Sequence, residues 1–200
     1  MKRVVSCLAL VTACVVSAEA KAEVAFGFVP YVGFGRAWSS ARTAPGKNPV
    51  DLDGAVFEPH VSFHCILPGE VLGVGVLGTY TSTRQHSDDK QSTVGLGGFA
   101  AEPVVMLGLD AFFLQVHAGP SFMAVDNADG ADTVSATALR LGGGLSWRFM
   151  GSSIGDMALS ADLSHTEVSD VDFRTYKTDV GMTSLVFSLG FAFGPDALSF

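Results

Sequence analysis

The segment Ala55-Val56-Phe57-Glu58-Pro59-His60-Val61-Ser62-Phe63-His64-Cys65-Ile66-Leu67 separates into two side-chain sets of opposite character. Ala55, Phe57, Pro59, Val61, Phe63, Cys65 and Leu67 form an oily set. Val56, Glu58, His60, Ser62, His64 and Ile66 form a set carrying a carboxylate, two imidazoles and a hydroxyl. A strand turns successive side chains to opposite faces, so the period of two predicts a β-strand with one apolar and one polar face. The pattern recurs along the chain, yet no amphipathic helix appears that could cover so many apolar faces. The consistent solution is a sheet closed on itself with its apolar face in lipid: an all-β, eight-stranded antiparallel transmembrane β-barrel.

The chain begins with Lys2 and Arg3, an apolar run over residues 4–16 and the small-x-small triplet Ala18-Glu19-Ala20. This reads as a secretory signal peptide over residues 1–20, leaving residues 21–200 as one barrel domain. A competing reading takes Val11-Thr12-Ala13-Cys14 as a lipidation motif. Removing the signal takes away two positive charges and one negative, moving the formal net charge from −8 to −9. An acidic chain is a poor nucleic-acid partner. Cys7 and Cys14 leave with the signal, and Cys65 alone cannot form an intramolecular disulfide. The hydrophobic content of 48% and mean hydropathy of +0.37 are carried by short segments rather than by one long apolar run. That distribution suits strands facing lipid and excludes a helical membrane protein.

Further strands are predicted over residues 25–36, 71–81, 93–107, 112–123, 135–150, 157–166 and 184–193. A glycine pair at Gly97-Gly98 predicts a bulge in the fourth. The form apolar-x-Pro-x-Val repeats at Phe28–Val32, Phe57–Val61 and Ala101–Val105. Proline cannot donate to a ladder, so Pro30, Pro59 and Pro103 are expected where pairing is already broken. Long polar connections (Ser39 to Asp53, Arg84 to Ser92, Asp126 to Thr133, Ser169 to Asp179) alternate with compact ones, which predicts external loops, short periplasmic turns and periplasmic termini.

On these strands the chain resembles the small outer-membrane barrels of Gram-negative bacteria, the OmpA/OmpX type, down to an aromatic-rich last strand over Leu185–Phe193. The resemblance implies residence in the outer membrane and assembly through that last strand by the outer-membrane assembly machinery. Either Phe193 or Phe200 would be the signal residue. It also implies lipopolysaccharide and phospholipid as surrounding partners, and a monomer. It does not imply an activity, because such barrels serve as anchors, adhesins, lipid enzymes and conduits.

Glu58, Glu102, Arg140, Arg148 and Asp162 point inward and are expected to form an ion-pair network filling the lumen. Within it, Arg140 is expected to reach Glu58 or Glu102. His60, His64 and His117 also point inward and read as hydrogen-bonded lumen imidazoles rather than metal ligands, since their spacing matches no ligand pattern. Asp126 to Asp132 lacks the third-position acid and closing glutamate of a calcium loop, and no motif calls for a cofactor. His165 and Glu167 fall where barrels similar to the lipid A deacylases carry a catalytic His, but Glu167 stands where their serine would be. Trp38 and Tyr80 at one edge, with Phe112, Trp147, Phe149, Phe191 and Phe193 at the other, read as aromatic girdles. The function expected is a non-enzymatic structural or surface-interaction role through the external loops. The alternatives are a lipid-modifying enzyme and a narrow conduit for solutes or ions.

Overall fold

The computed structural model describes residues 25–46, 48–67, 71–88, 92–109, 111–126, 132–152, 155–173 and 176–193. The proposed signal peptide, the Pro68-Gly69 turn, most of the acidic Asp126–Asp132 loop and the tail after Phe193 lie outside them. Eight antiparallel strands form the wall: β1 (Ala25–Ala41), β2 in two segments (Val50–Phe57 and His60–Ile66), β3 (Leu72–His86), β4 (Thr93–Leu109), β5 (Phe112–Asp126), β6 (Thr133–Ser152), β7 (Gly155–Phe173) and β8 (Tyr176–Ala192). Each pairs with the next, and β8 returns to β1 from Tyr31↔Gly190 to Ala41↔Val180, so the sheet closes. Closure pairs the edges that an open sheet would expose to lipid.

The alternation follows the predicted phase. Phe26, Val32, Phe34, Phe63, Phe122, Leu139, Leu163 and Phe187 are exposed on the outer wall, while Glu58, His60, Ser62, His64 and Ile66 are buried inside. All three repeat prolines sit at ladder interruptions. Pro59 separates the two segments of β2. Pro30 lies in the gap between Phe28↔Phe193 and Tyr31↔Gly190. Pro103 lies between Ala100↔Ser121 and Val104↔His117.

Two expectations are corrected. The Gly97-Gly98 bulge is absent: β3 and β4 stay in register from Leu72↔Leu107 to His86↔Thr93. Val94 and Leu96 therefore point inward, because the interior there is apolar. The strands also run further than predicted, with much of the expected loops at Ser39–Asp53, Arg84–Ser92 and Ser169–Asp179 in ladder. Above the lipid-facing belt the alternation continues with polar residues outward, so the polarity change marks the end of lipid contact rather than the end of the strand.

The interior is layered. At the end away from the termini, called the loop end, Leu52, Val56, Leu96, Met123, Val125, Val168, Phe173, Val180 and Met182 belong to one buried apolar cluster. Polar and charged side chains fill the middle, and a smaller apolar cluster of Val29, Ala158 and Ala192 lies toward the terminal end.

Candidate functional site

The centre of the lumen is built around Arg140, which enters from β6 between Gly119 of β5 and Thr166 of β7. Its guanidinium spans the barrel to β2. Nη1 donates to Glu58 Oε2 at 3.0 Å and Nη2 to Glu58 Oε1 at 2.5 Å. Nη1 also donates to Thr81 Oγ1 at 2.8 Å, and the Thr81 hydroxyl donates to Glu58 Oε2 at 2.9 Å. This is a fork-on-carboxylate pair, the geometry that makes a buried pair hold. Arg140 and Glu58 are almost wholly buried.

Glu102 stands beside this pair, with its Oε1 3.6 Å from Arg140 Nε. That is too long for a hydrogen bond, so the contact is electrostatic only. Thr79 donates to Glu102 Oε2 at 3.3 Å. His117 bridges onward, with Nδ1 2.9 Å from Glu102 Oε1 and Nε2 3.0 Å from Asp162 Oδ2. Both ring nitrogens face carboxylate oxygens, so the three groups share two protons. The simplest assignment is an imidazolium donating to two carboxylates. Glycines on β6 make the room: a Cβ at Gly142 would stand 2.6 Å from His117 Cε1, and one at Gly144 would stand 2.7 Å from Asp162 Oδ2.

Arg148 does not join this network. No carboxylate lies within ion-pair distance of it among the described residues. Instead its guanidinium sits over the Phe113 ring at 4.1 Å, and Nη2 donates to His64 Nε2 at 3.2 Å. His64 Nε2 must then be the accepting nitrogen, which leaves Nδ1–H to donate to Ser62 Oγ at 3.2 Å. His60 stacks on Tyr31 at 4.6 Å and donates from Nδ1 to the Glu58 carbonyl at 3.3 Å. The three histidines therefore serve three different clusters, and His117 belongs with the charges.

Alternation identifies which residues face inward but not how far each side chain reaches across the lumen, so it does not reveal that His117 meets both acids or that Arg148 meets neither. Thr79, Thr81 and Gln115 are likewise network members with no motif to single them out. His165 and Glu167 are on the outer wall. His165 Nδ1 lies 2.9 Å from Thr183 Oγ1, but among the described residues no carboxylate contacts its other nitrogen. This is a cross-strand pair without the third member of a catalytic triad.

The aromatic residues expected to form girdles fall in two groups on the outer wall. Phe112 stacks on Trp147 at 6.1 Å, Trp147 on Phe149 at 4.9 Å, and Phe191 lies 4.8 Å from Phe193 at the terminal rim. Tyr80 pairs with Phe99 at 4.8 Å toward the loop end, where Trp38 is also exposed. Phe34 and Phe57 also pair on the outer wall, with ring centroids 5.1 Å apart.

No family model matches the sequence, and no curated protein matches it. Solved structures do. Neisserial surface protein A aligns over 81% of this chain and 96% of its own at 14% identity, with a TM-score of 0.51. Ail, the attachment invasion locus protein of Yersinia pestis, aligns over 82% and 98% at 15% identity, with a TM-score of 0.46. The outer membrane protease OmpT from Escherichia coli aligns over 86% and 97% at 7% identity, with a TM-score of 0.43. The likeness to the first is one of fold: an antiparallel barrel of the outer-membrane type.

Proposed function

We infer that the protein is a closed, non-enzymatic barrel of the outer membrane, with periplasmic termini, acting as a structural or surface-interaction protein through its loop end. The observation that carries this reading is the double closure of the lumen. The Arg140–Glu58–Thr81 cluster spans the middle, and the apolar cluster that includes Val168, Phe173 and Met182 fills the loop end above it. An eight-stranded barrel has interior space for little more than side chains, so two filled layers leave no solute path. Among the described residues the outer surface brings together no nucleophile, base and orienting acid, which speaks against the lipid-enzyme alternative. Surrounding lipid and the assembly machinery acting on β8 would be its partners. Liposomes containing the refolded protein should not swell in small sugars; swelling above protein-free controls would overturn the closed reading in favour of a conduit.

A further inference from the structure

The outer wall carries one groove that continues upward into unspent charge. Across β3, β4, β5 and β6 the register stacks three outward rows. The lowest is Tyr80, Phe99, Phe122 and Thr137; the next is Ser82, Gly97, Ala124 and Ser135; the highest is Arg84, Gly95, Asp126 and Thr133. The lower two rows enclose a groove of about 440 Å³. Its floor is low because a side chain is missing: a Cβ at Gly97 would meet nothing closer than the Thr81 carbonyl at 3.8 Å. Phe99 and Phe122 wall it and are among the most exposed aromatics of the barrel, at 65% and 64%.

The row above is charged. Of the exposed cations elsewhere at the loop end, Arg36 and Lys177 are ion-paired with Asp53 and Asp172, while Arg42 has no ion pair among the described residues. Arg84 is exposed and has no ion pair or side-chain hydrogen bond among the described residues. Across Gly95 from it stands Asp126, which accepts from Thr133 Oγ1 at 2.7 Å. Its carboxylate leans over the glycine, with Oδ2 2.9 Å from where a Cβ would be. A free cation and a carboxylate thus stand about 10 Å apart at backbone level, two strand spacings, above hydroxyls and then an aromatic-walled apolar groove.

We propose that this face binds a phospholipid whose headgroup carries a phosphate beside a primary ammonium, with the phosphate on Arg84, the ammonium on Asp126 and an acyl chain in the groove. The order of chemistry along the wall matches that molecule from head to tail. Arginine suits a phosphate because its N–H donors are fixed in a fork. A primary ammonium has three N–H donors for Asp126, whereas a trimethylated head has none. The inference is independent of the closed lumen.

The test is native mass spectrometry of the refolded protein released from nanodiscs of equimolar phosphatidylethanolamine, phosphatidylcholine and phosphatidylglycerol. The expected result is retained phosphatidylethanolamine in roughly tenfold excess over phosphatidylcholine, the scale of one charge-assisted hydrogen bond. Asp126→Asn should remove that preference, Arg84→Gln should lower retention of every phospholipid, and Gly97→Leu should fill the groove and abolish retention. Circular dichroism of each variant checks that the barrel is intact. Lipid carried in the bulk ratio by the wild type, or equal retention by folded wild type and variants, would overturn the site.

Discussion

Arg140 joins β6 to Glu58 and Thr81 across the lumen. Its guanidinium is deeply buried and spends two nitrogens on Glu58, so Arg140→Ala leaves a carboxylate without its counter-charge. Loss of one partner of a buried pair costs about 3 to 5 kcal/mol, and urea unfolding in lipid vesicles should show a loss of that order. The two neighbouring acids are not equivalent. A double-mutant cycle between Arg140→Ala and Glu58→Ala should give a coupling of at least 1 to 2 kcal/mol, of the size expected for residues in direct contact. The same cycle with Glu102→Ala should give less, since that contact is 3.6 Å and lacks a hydrogen bond. Equal couplings would mean that Arg140 serves both carboxylates alike, and couplings near zero that each is solvated independently. The Arg140–Glu58 contact was within reach of sequence reasoning, because alternation gives both faces, position along each strand gives both heights, and strand order sets β2 across from β6. The isolation of Arg148 was not: alternation shows that it faces inward but not how far its side chain reaches, and the groups it reaches are Phe113 and His64 rather than an acid.

At the scale of the strand, the outward face changes solvent part-way along its length. β1 shows this on one side of one element: Val32 and Ser40 both point outward, the first within the apolar belt and the second beyond the loop-end rim. Val32→Arg should cost about 2 to 4 kcal/mol near the bilayer midplane, and Ser40→Arg about 0 to 1 kcal/mol near or beyond the interface. Unfolding titrations of both variants in the same vesicles measure the difference, and equal penalties would contradict the position of the belt. Strand identity and phase were legible because alternation survives the change of solvent. Strand ends were not, because polar outward residues such as Ser40, Asp51 and Arg84 read as loop when water rather than lipid lies outside them. Proline was informative in the opposite sense: Pro30, Pro59 and Pro103 located the gaps in the ladder.

For the molecule as a whole, closure and layering matter more than any single contact. The ring of eight strands was legible as a count of alternating segments. The apolar layer at the loop end was hidden, because Val94, Leu96, Val180 and Met182 break the polar-inside pattern that the middle of the lumen obeys. Orientation follows from the proposal that the loop end is external. A tag inserted at Gly46, where φ is 67° and an added Cβ would meet nothing within 4 Å, should be labelled on intact cells. Labelling that required permeabilised cells would reverse the barrel. The layering also separates stability from closure. Arg140→Ala should weaken the barrel yet leave it shut, since the apolar cluster above the lost pair remains. Planar-bilayer recording of the refolded wild-type protein tests the closure itself most directly: the account predicts a baseline without unitary steps, and reproducible steps carried by folded single barrels would contradict it.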